Sequence, residues 1–234
     1  MQLDPKELLN LLKSLGVTYL YHANTVGTAC TFLRNGGLLS RGGVASRGVF
    51  QTYQKSDDLD KEYGIWNDIF LDNFDIHQKR KIQNFYGPVL FIFHVDLLEI
   101  NGLPPLCITK TNPTDWRNID ISDRYYTSIE ELRNSPYSEG DYFRMITLRN
   151  TLSVLPFNPY LVQIFLDFPH IRTGEQPTLS HAYLALMQAA STGGIDTRKI
   201  VGRYCDDHCN CYTESSYGPT TKDRTIRRFF KLGT

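Results

Sequence analysis

The chain has 234 residues, 41% of them hydrophobic and 12% aromatic, and its 25 basic residues balance its 25 acidic ones. That apolar content excludes a generally disordered chain and suffices for one sizeable core. The zero net charge excludes a global field drawing the protein to nucleic acid or to an anionic membrane. No apolar run approaches the ~20 residues that span a bilayer, no signal peptide is visible, and five cysteines in a chain this long do not read as a disulfide framework. A reducing cytoplasm is the expected compartment, with no membrane partner.

Asp4 before Pro5 predicts a capped helix start, with Leu8, Leu9, Leu11, Leu12 and Leu15 forming an apolar stripe that ends at Gly16. "VTYLY", residues 17 to 21, predicts a strand, and Thr25 a cap for a helix carrying Ala29, Phe32 and Leu33. Residues 42 to 64, with their glycines, serines and the run "KSDDLDKEYG", predict an irregular surface loop with one short helix rather than a core element. "DNFDIHQKRKIQNFYG" predicts a helix from near Asp72, with Phe74, Ile82 and Phe85 on its apolar side.

"PVLFIFHV", residues 88 to 95, predicts a buried strand, and the proline-bearing stretch 101 to 136 a long irregular excursion over the core. Further strands are expected at residues 142 to 148 and 160 to 168, and a helix from Thr178 to the stop at Gly193 and Gly194. Residues 1 to 202 then form the domain, and 203 to 234 a polar C-terminal extension that packs on it or binds a partner. In that extension Phe229 and Phe230 lie among Lys222, Arg224, Arg227, Arg228 and Lys231. The pattern serves single-stranded nucleic acid, or a helix docked by its phenylalanines.

Chemistry concentrates in "YLYHANTVGTACTFLRNGGLLSRG", residues 19 to 42. A histidine at a strand end before a helix start can offer a ring nitrogen to a ribose hydroxyl, while unpaired amides receive a polar ligand group. The same histidine can also be a hydrogen-bonded structural residue, and Arg41 a solvated loop arginine.

This stretch resembles the first motif of the ADP-ribosyltransferase superfamily, and most closely that of the DarT-like nucleic-acid-modifying toxins. The segment from "QTYQKSDDLDKEYG" through "FYGPVLFIF" resembles CmdT-like bacterial anti-phage toxins, which act with an antitoxin and a chaperone. The resemblance spans residues 18 to 98. It implies an α+β fold of split antiparallel β-sheets flanked by helices, with a cleft for NAD as ADP-ribose donor, and transfer of ADP-ribose to a nucleic-acid base, RNA favoured. A protein acceptor, or a non-enzymatic NAD-binding protein of the same fold, are the alternatives.

By the same resemblance His22 holds the nicotinamide-side ribose, with Tyr21, Asn24 and Thr25 beside it. Leu39, Ser40 and Arg41 form the turn next to nicotinamide or diphosphate, and Gln51 and Tyr53, or Phe50, lie where an aromatic ring stacks on nicotinamide. The superfamily glutamate at the start of a late strand is missing, since Glu139 and Asp141 are the nearest carboxylates to residues 142 to 148. Asp141, Arg149 and Arg41 are therefore the expected charge-stabilising residues.

No metal is expected. Asp57, Asp58, Asp60, Asp68, Asp72 and Asp75 with His77 match neither a calcium loop nor paired zinc ligands, so Asp68 and Asp72 are read as capping the helix and tying a loop. "CDDHCNCY" puts Cys205, His208, Cys209 and Cys211 within seven residues but has no second ligand pair, which favours plain thiols.

Overall fold

Asp4 accepts a hydrogen bond from the Glu7 amide at 2.8 Å, Pro5 fills the first turn, and helix α1 (Pro5–Ser14) buries Leu8, Leu9, Leu11 and Leu12. The structure, a computed structural model, describes residues 2–82, 84–135, 144–168, 176–205, 209 and 228–232. Strand β1 (Tyr19–Asn24) follows, then α2 (Val26–Arg34), β2 (Gly37–Leu38), α3 (Arg41–Ser46), α4 (Asp57–Glu62), β3 (Ile69–Leu71), α5 (Ile76–Arg80) and β4 (Val89–His94). After these come β5 (Leu106–Ile108), α6 (Ile129–Arg133), β6 (Ile146–Leu148), β7 (Leu155–Pro156), β8 (Leu161–Phe168), α7 (Gln176–Thr192) and β9 (Ile200–Tyr204).

The fold is mixed α+β. One sheet has the order β1-β4-β8-β9, a second β3-β6-β5, and β2 pairs with β7. The expectation of purely antiparallel sheets is corrected by β9, which joins β8 in parallel, Ile164 opposite Ile200, after the chain has crossed over through α7. A parallel neighbour needs such a crossover, and α7 supplies it.

Strand β4 reads "VLFIFH" because it is central and covered on both faces, which removes polar alternation. Phe91 and Phe93 point from it into the main core, where Phe157 stacks on them at centroid distances of 5.2 and 5.9 Å. Helix α2 is buried along nearly its whole length between that sheet and α7.

The predicted helix from Asp72 is much shorter than its sequence suggested. Asp75 caps it, accepting from the Gln78 amide at 3.0 Å, and the chain leaves it at Lys81 in the left-handed region, φ 53°. Neither Asp68 nor Asp72 caps it. Strand β3 precedes it, and the excursion of residues 101 to 136 contains β5 and α6, with Trp116 and Tyr125 packed on Ile65 and Cys107 in a second small core.

Phe229 and Phe230 are buried in the main core. The carbonyl of Lys231 passes so close to α2 that a Cβ on Gly27 would lie 2.8 Å from it and 2.5 Å from the Phe50 ring. Only glycine accommodates that approach. Among the described residues no helix is long and apolar enough to cross a membrane.

Candidate functional site

Strand β1 is an edge of the first sheet and β3 an edge of the second, and the two meet at one bridge. Tyr21 donates its amide to the Asp72 carbonyl at 2.9 Å and Asp72 returns one to Tyr21 at 2.8 Å. Beside this junction lies a cleft of about 790 Å³ of empty space, its open mouth included.

His22 lines the cleft. Its Nδ1 lies 2.9 Å from the Phe70 carbonyl, which can only accept, so Nδ1 carries the proton and Nε2 keeps its lone pair. Asn24 Nδ2 approaches Nε2 at 3.4 Å, and the Phe32 ring lies 5.7 Å away, centroid to centroid. Burial pulls the imidazole below its usual range, with the Phe70 carbonyl opposing, so the ring is neutral at pH 7. It is the hydrogen-bonded residue that the sequence allowed, and it also lines the cleft.

Asn24 presents its side-chain oxygen to the Thr25 amide at 2.9 Å and to Gln54 Nε2 at 3.3 Å, which holds two amide side chains on the cleft wall. Leu39 and Arg41 line it too. Arg41 is not a solvated loop residue: it is ion-paired with buried Asp57, donates to the Thr52 carbonyl at 3.0 Å and lies 5.6 Å from the Trp66 ring centre. Gly42 beside it donates to the Trp66 carbonyl at 2.8 Å, and a Cβ there would overlap the Asn67 side chain.

The other expected residues stand behind or outside the lining. Ser40 caps α3, accepting from the Gly43 amide at 3.0 Å and donating to the Thr151 carbonyl at 2.6 Å. Thr25 bonds Thr28, and Gln51 donates to the Arg41 carbonyl at 3.1 Å. Tyr21 packs in a small cluster with Ala23, Leu90 and Ile92. Tyr53 is 60% exposed, with its hydroxyl 3.4 Å from Asp58. Arg149 grips Asp68, Nε to Oδ2 2.6 Å, and covers the Tyr125 ring, so it positions a lining carboxylate from behind. Asp141 lies outside the described residues.

Sequence reasoning missed the cleft's acidic wall. Asp60, Asp68 and Asp72 all line it, together with Tyr86. Burial pushes Asp60 up to about 6, reinforced by Asp57; burial likewise holds Asp68 at about 6 against the Asn150 amide and Arg149. Asp72 rises to about 7 through burial alone. Its carboxylate has no side-chain hydrogen-bond partner among the described residues, whereas Ser56 donates to Asp60 at 3.3 Å and the Asn150 amide to Asp68 at 2.8 Å. Perturbed acids gathered in one cavity mark candidate chemistry. The spacing of eight and four residues was visible, but nothing in it told cleft residues from helix caps.

Chemically, the cleft combines an acceptor nitrogen, two amides, an apolar floor of Phe32, Phe70, Ile69 and Met145, and carboxylates poised to ionise near neutrality. Such a lining can exchange hydrogen bonds with a polar ligand and stabilise positive charge. Among the described residues Arg41 is the one strong base in the lining. Neither a known protein-family model nor a curated protein sequence matches the chain.

Proposed function

We propose that the chain is a mono-ADP-ribosyltransferase of the split-sheet type that moves ADP-ribose from NAD to a nucleic-acid base, RNA first, restrained in the cell by an antitoxin and a chaperone. One observation carries the reading: His22, two residues before the end of β1 and kept neutral by burial, lines the same cleft as three carboxylates of raised pKa.

In this reading His22 accepts a hydrogen bond from a hydroxyl of the nicotinamide-side ribose, and the nicotinamide ring lies on the apolar floor. The diphosphate falls to Arg41, whose guanidinium matches phosphate oxygens with paired donors. The ribose C1′–N bond breaks, its electron pair leaves with nicotinamide, and the ring becomes neutral. Positive charge then develops on the ribose, where Asp72 and Asp60 stabilise it. A base nitrogen gives its lone pair to C1′, and its proton passes to a carboxylate near pKa 7, which suits Asp72. These acids take the part expected of the missing glutamate.

Incubation of the purified protein with labelled NAD and RNA, single-stranded DNA or cell lysate tests the proposal. Label should stay with RNA and survive protease but not nuclease. Label lost to protease would assign a protein acceptor instead, and NAD binding without nicotinamide release from any pool would leave a binding protein. The rate should also rise with pH through the window of about 6 to 7, as Asp60, Asp68 and Asp72 ionise. A rate that falls across that window would remove the carboxylates from the mechanism.

A further inference from the structure

Away from the cleft, helix α5 and the segment after β9 bring together three side chains that are far apart in sequence. His77 Nε2 lies 3.1 Å from Cys209 Sγ and 3.4 Å from Cys205 Sγ, across 132 and 128 positions of chain. All three residues are buried, and their donor atoms lie within 4.8 Å of one another. None of them lines the cleft.

The imidazole is oriented from behind. Nδ1 lies 2.8 Å from Asp167 Oδ2 and donates its proton there, which turns Nε2 toward the two sulfurs. Asp167 is in turn held by Arg203, Nη2 to Oδ2 2.9 Å, and Arg203 also pairs with Asp75. A carboxylate behind a histidine is the usual support of a metal-bound imidazole: it fixes the tautomer and raises the basicity of the other nitrogen.

The separations suit a tetrahedral ion. Metal bonds of ~2.3 Å to sulfur and ~2.0 Å to nitrogen put neighbouring donors about 3.5–3.8 Å apart, a small outward step from the nitrogen–sulfur distances seen. Two thiolates with one imidazole are a soft set that selects zinc over magnesium or calcium. Two thiolate charges also cancel those of a divalent ion, so no net charge is left in a buried place.

We propose that His77, Cys205 and Cys209 bind one zinc ion, which staples the segment after β9 to α5 and holds the C-terminal end of the chain on the domain. This replaces the expectation of no metal. Binding displaces one proton from each thiol, and Asp167 and Arg203 remain as the supporting pair. His208 and Cys211 neighbour Cys209 in sequence and lie outside the described residues; the proposal stands on the three ligands that are placed.

The test is metal analysis of the full chain purified under reducing conditions, followed by replacement with Co²⁺. One zinc per chain is expected, with thiolate-to-cobalt charge-transfer absorption and the intense visible bands of four-coordinate Co²⁺. Removing zinc with a chelator should lower the melting temperature, and adding Zn²⁺ should restore it. Cys205→Ser and Cys209→Ser should each lose the stoichiometric ion, and Asp167→Asn should weaken affinity about 10- to 100-fold. The wild-type cobalt spectrum decides even where a variant does not fold. A metal-free chain that gives no charge-transfer band with Co²⁺, or folded cysteine variants that keep one zinc each, would overturn the site.

Discussion

Asp72→Asn is expected to cut nicotinamide release by about 10²- to 10³-fold, the usual effect of removing a group that stabilises transition-state charge, while making the protein more stable above pH 7.5. The second half follows from the sign of the shift. Asp72 titrates at about 7 in the fold against 3.8 when exposed. Between those values the native state holds a proton that the unfolded chain has lost, so stability falls as pH rises through the window. At pH 8 the ionised carboxylate is a burden without a partner, and asparagine removes it. A discounted share of the ~1.4 kcal/mol per pKa unit gives a gain on the order of 1–2 kcal/mol, roughly 2–8 °C in melting temperature for a chain of this size. At pH 5 the two proteins should melt together. A variant that melts higher at pH 8 yet releases nicotinamide at the wild-type rate would make Asp72 a half-buried acid without chemistry. A lower melting temperature at pH 8 would contradict the burial argument itself.

Arg203→Met is expected to destabilise the protein by about 3–5 kcal/mol, because it leaves carboxylates buried without their counter-charge. Arg203 joins Asp75 and Asp167, whose side chains are 6% and 9% exposed, and lies 4.7 Å from the centre of the Phe165 ring. Burial opposes the ionisation of Asp167, but His77 and Arg203 together hold its carboxyl below the usual range. A depressed carboxyl contributes stability that is present above its unfolded pKa and is lost as pH falls through the folded one. The deficit of Arg203→Met should therefore be largest near neutrality and shrink in acid, where the orphaned carboxyls take up protons. Adding Asp75→Asn should recover part of the loss. Denaturant unfolding at pH 7 and at pH 4.5 measures both effects; a loss under 1 kcal/mol at pH 7 would show that this network does not hold the end of the sheet.

The elements that could be read from the sequence are those whose signals are local and complete. Asp4-Pro5 and the leucine stripe define α1, "VLFIFH" can only be a covered strand, and β1, which runs two residues past His22 to Asn24, is followed directly by α2. Strands β3 and β5 have three residues each, too few for a period of two to register. Helix α5 stops at Lys81 because the chain turns left-handed there, and no Gly or Pro announces it. The cleft was legible on one side only. His22 stands in a strand–turn–helix stretch that singles it out, while Asp60, Asp68 and Asp72 become neighbours through α4, β3 and the Tyr21–Asp72 bridge, pairings that no spacing encodes. The same holds for His77: Cys205 and Cys209 lie more than 120 positions away, and a lone histidine is not the second ligand pair whose absence argued against a metal.

The central claim is that the His22 cleft binds NAD, and the melting temperature with and without NAD tests it most directly. At about 100 times the dissociation constant, binding to the native state adds about 2.7 kcal/mol, which should appear as a clear upward shift in the wild-type protein. His22→Ala, shown by circular dichroism to be folded, should lose most of that shift, and His22→Gln, which keeps an acceptor, should retain part of it. A wild-type protein whose melting temperature ignores NAD, or a His22→Ala protein that NAD stabilises as much as the wild type, would contradict the assignment.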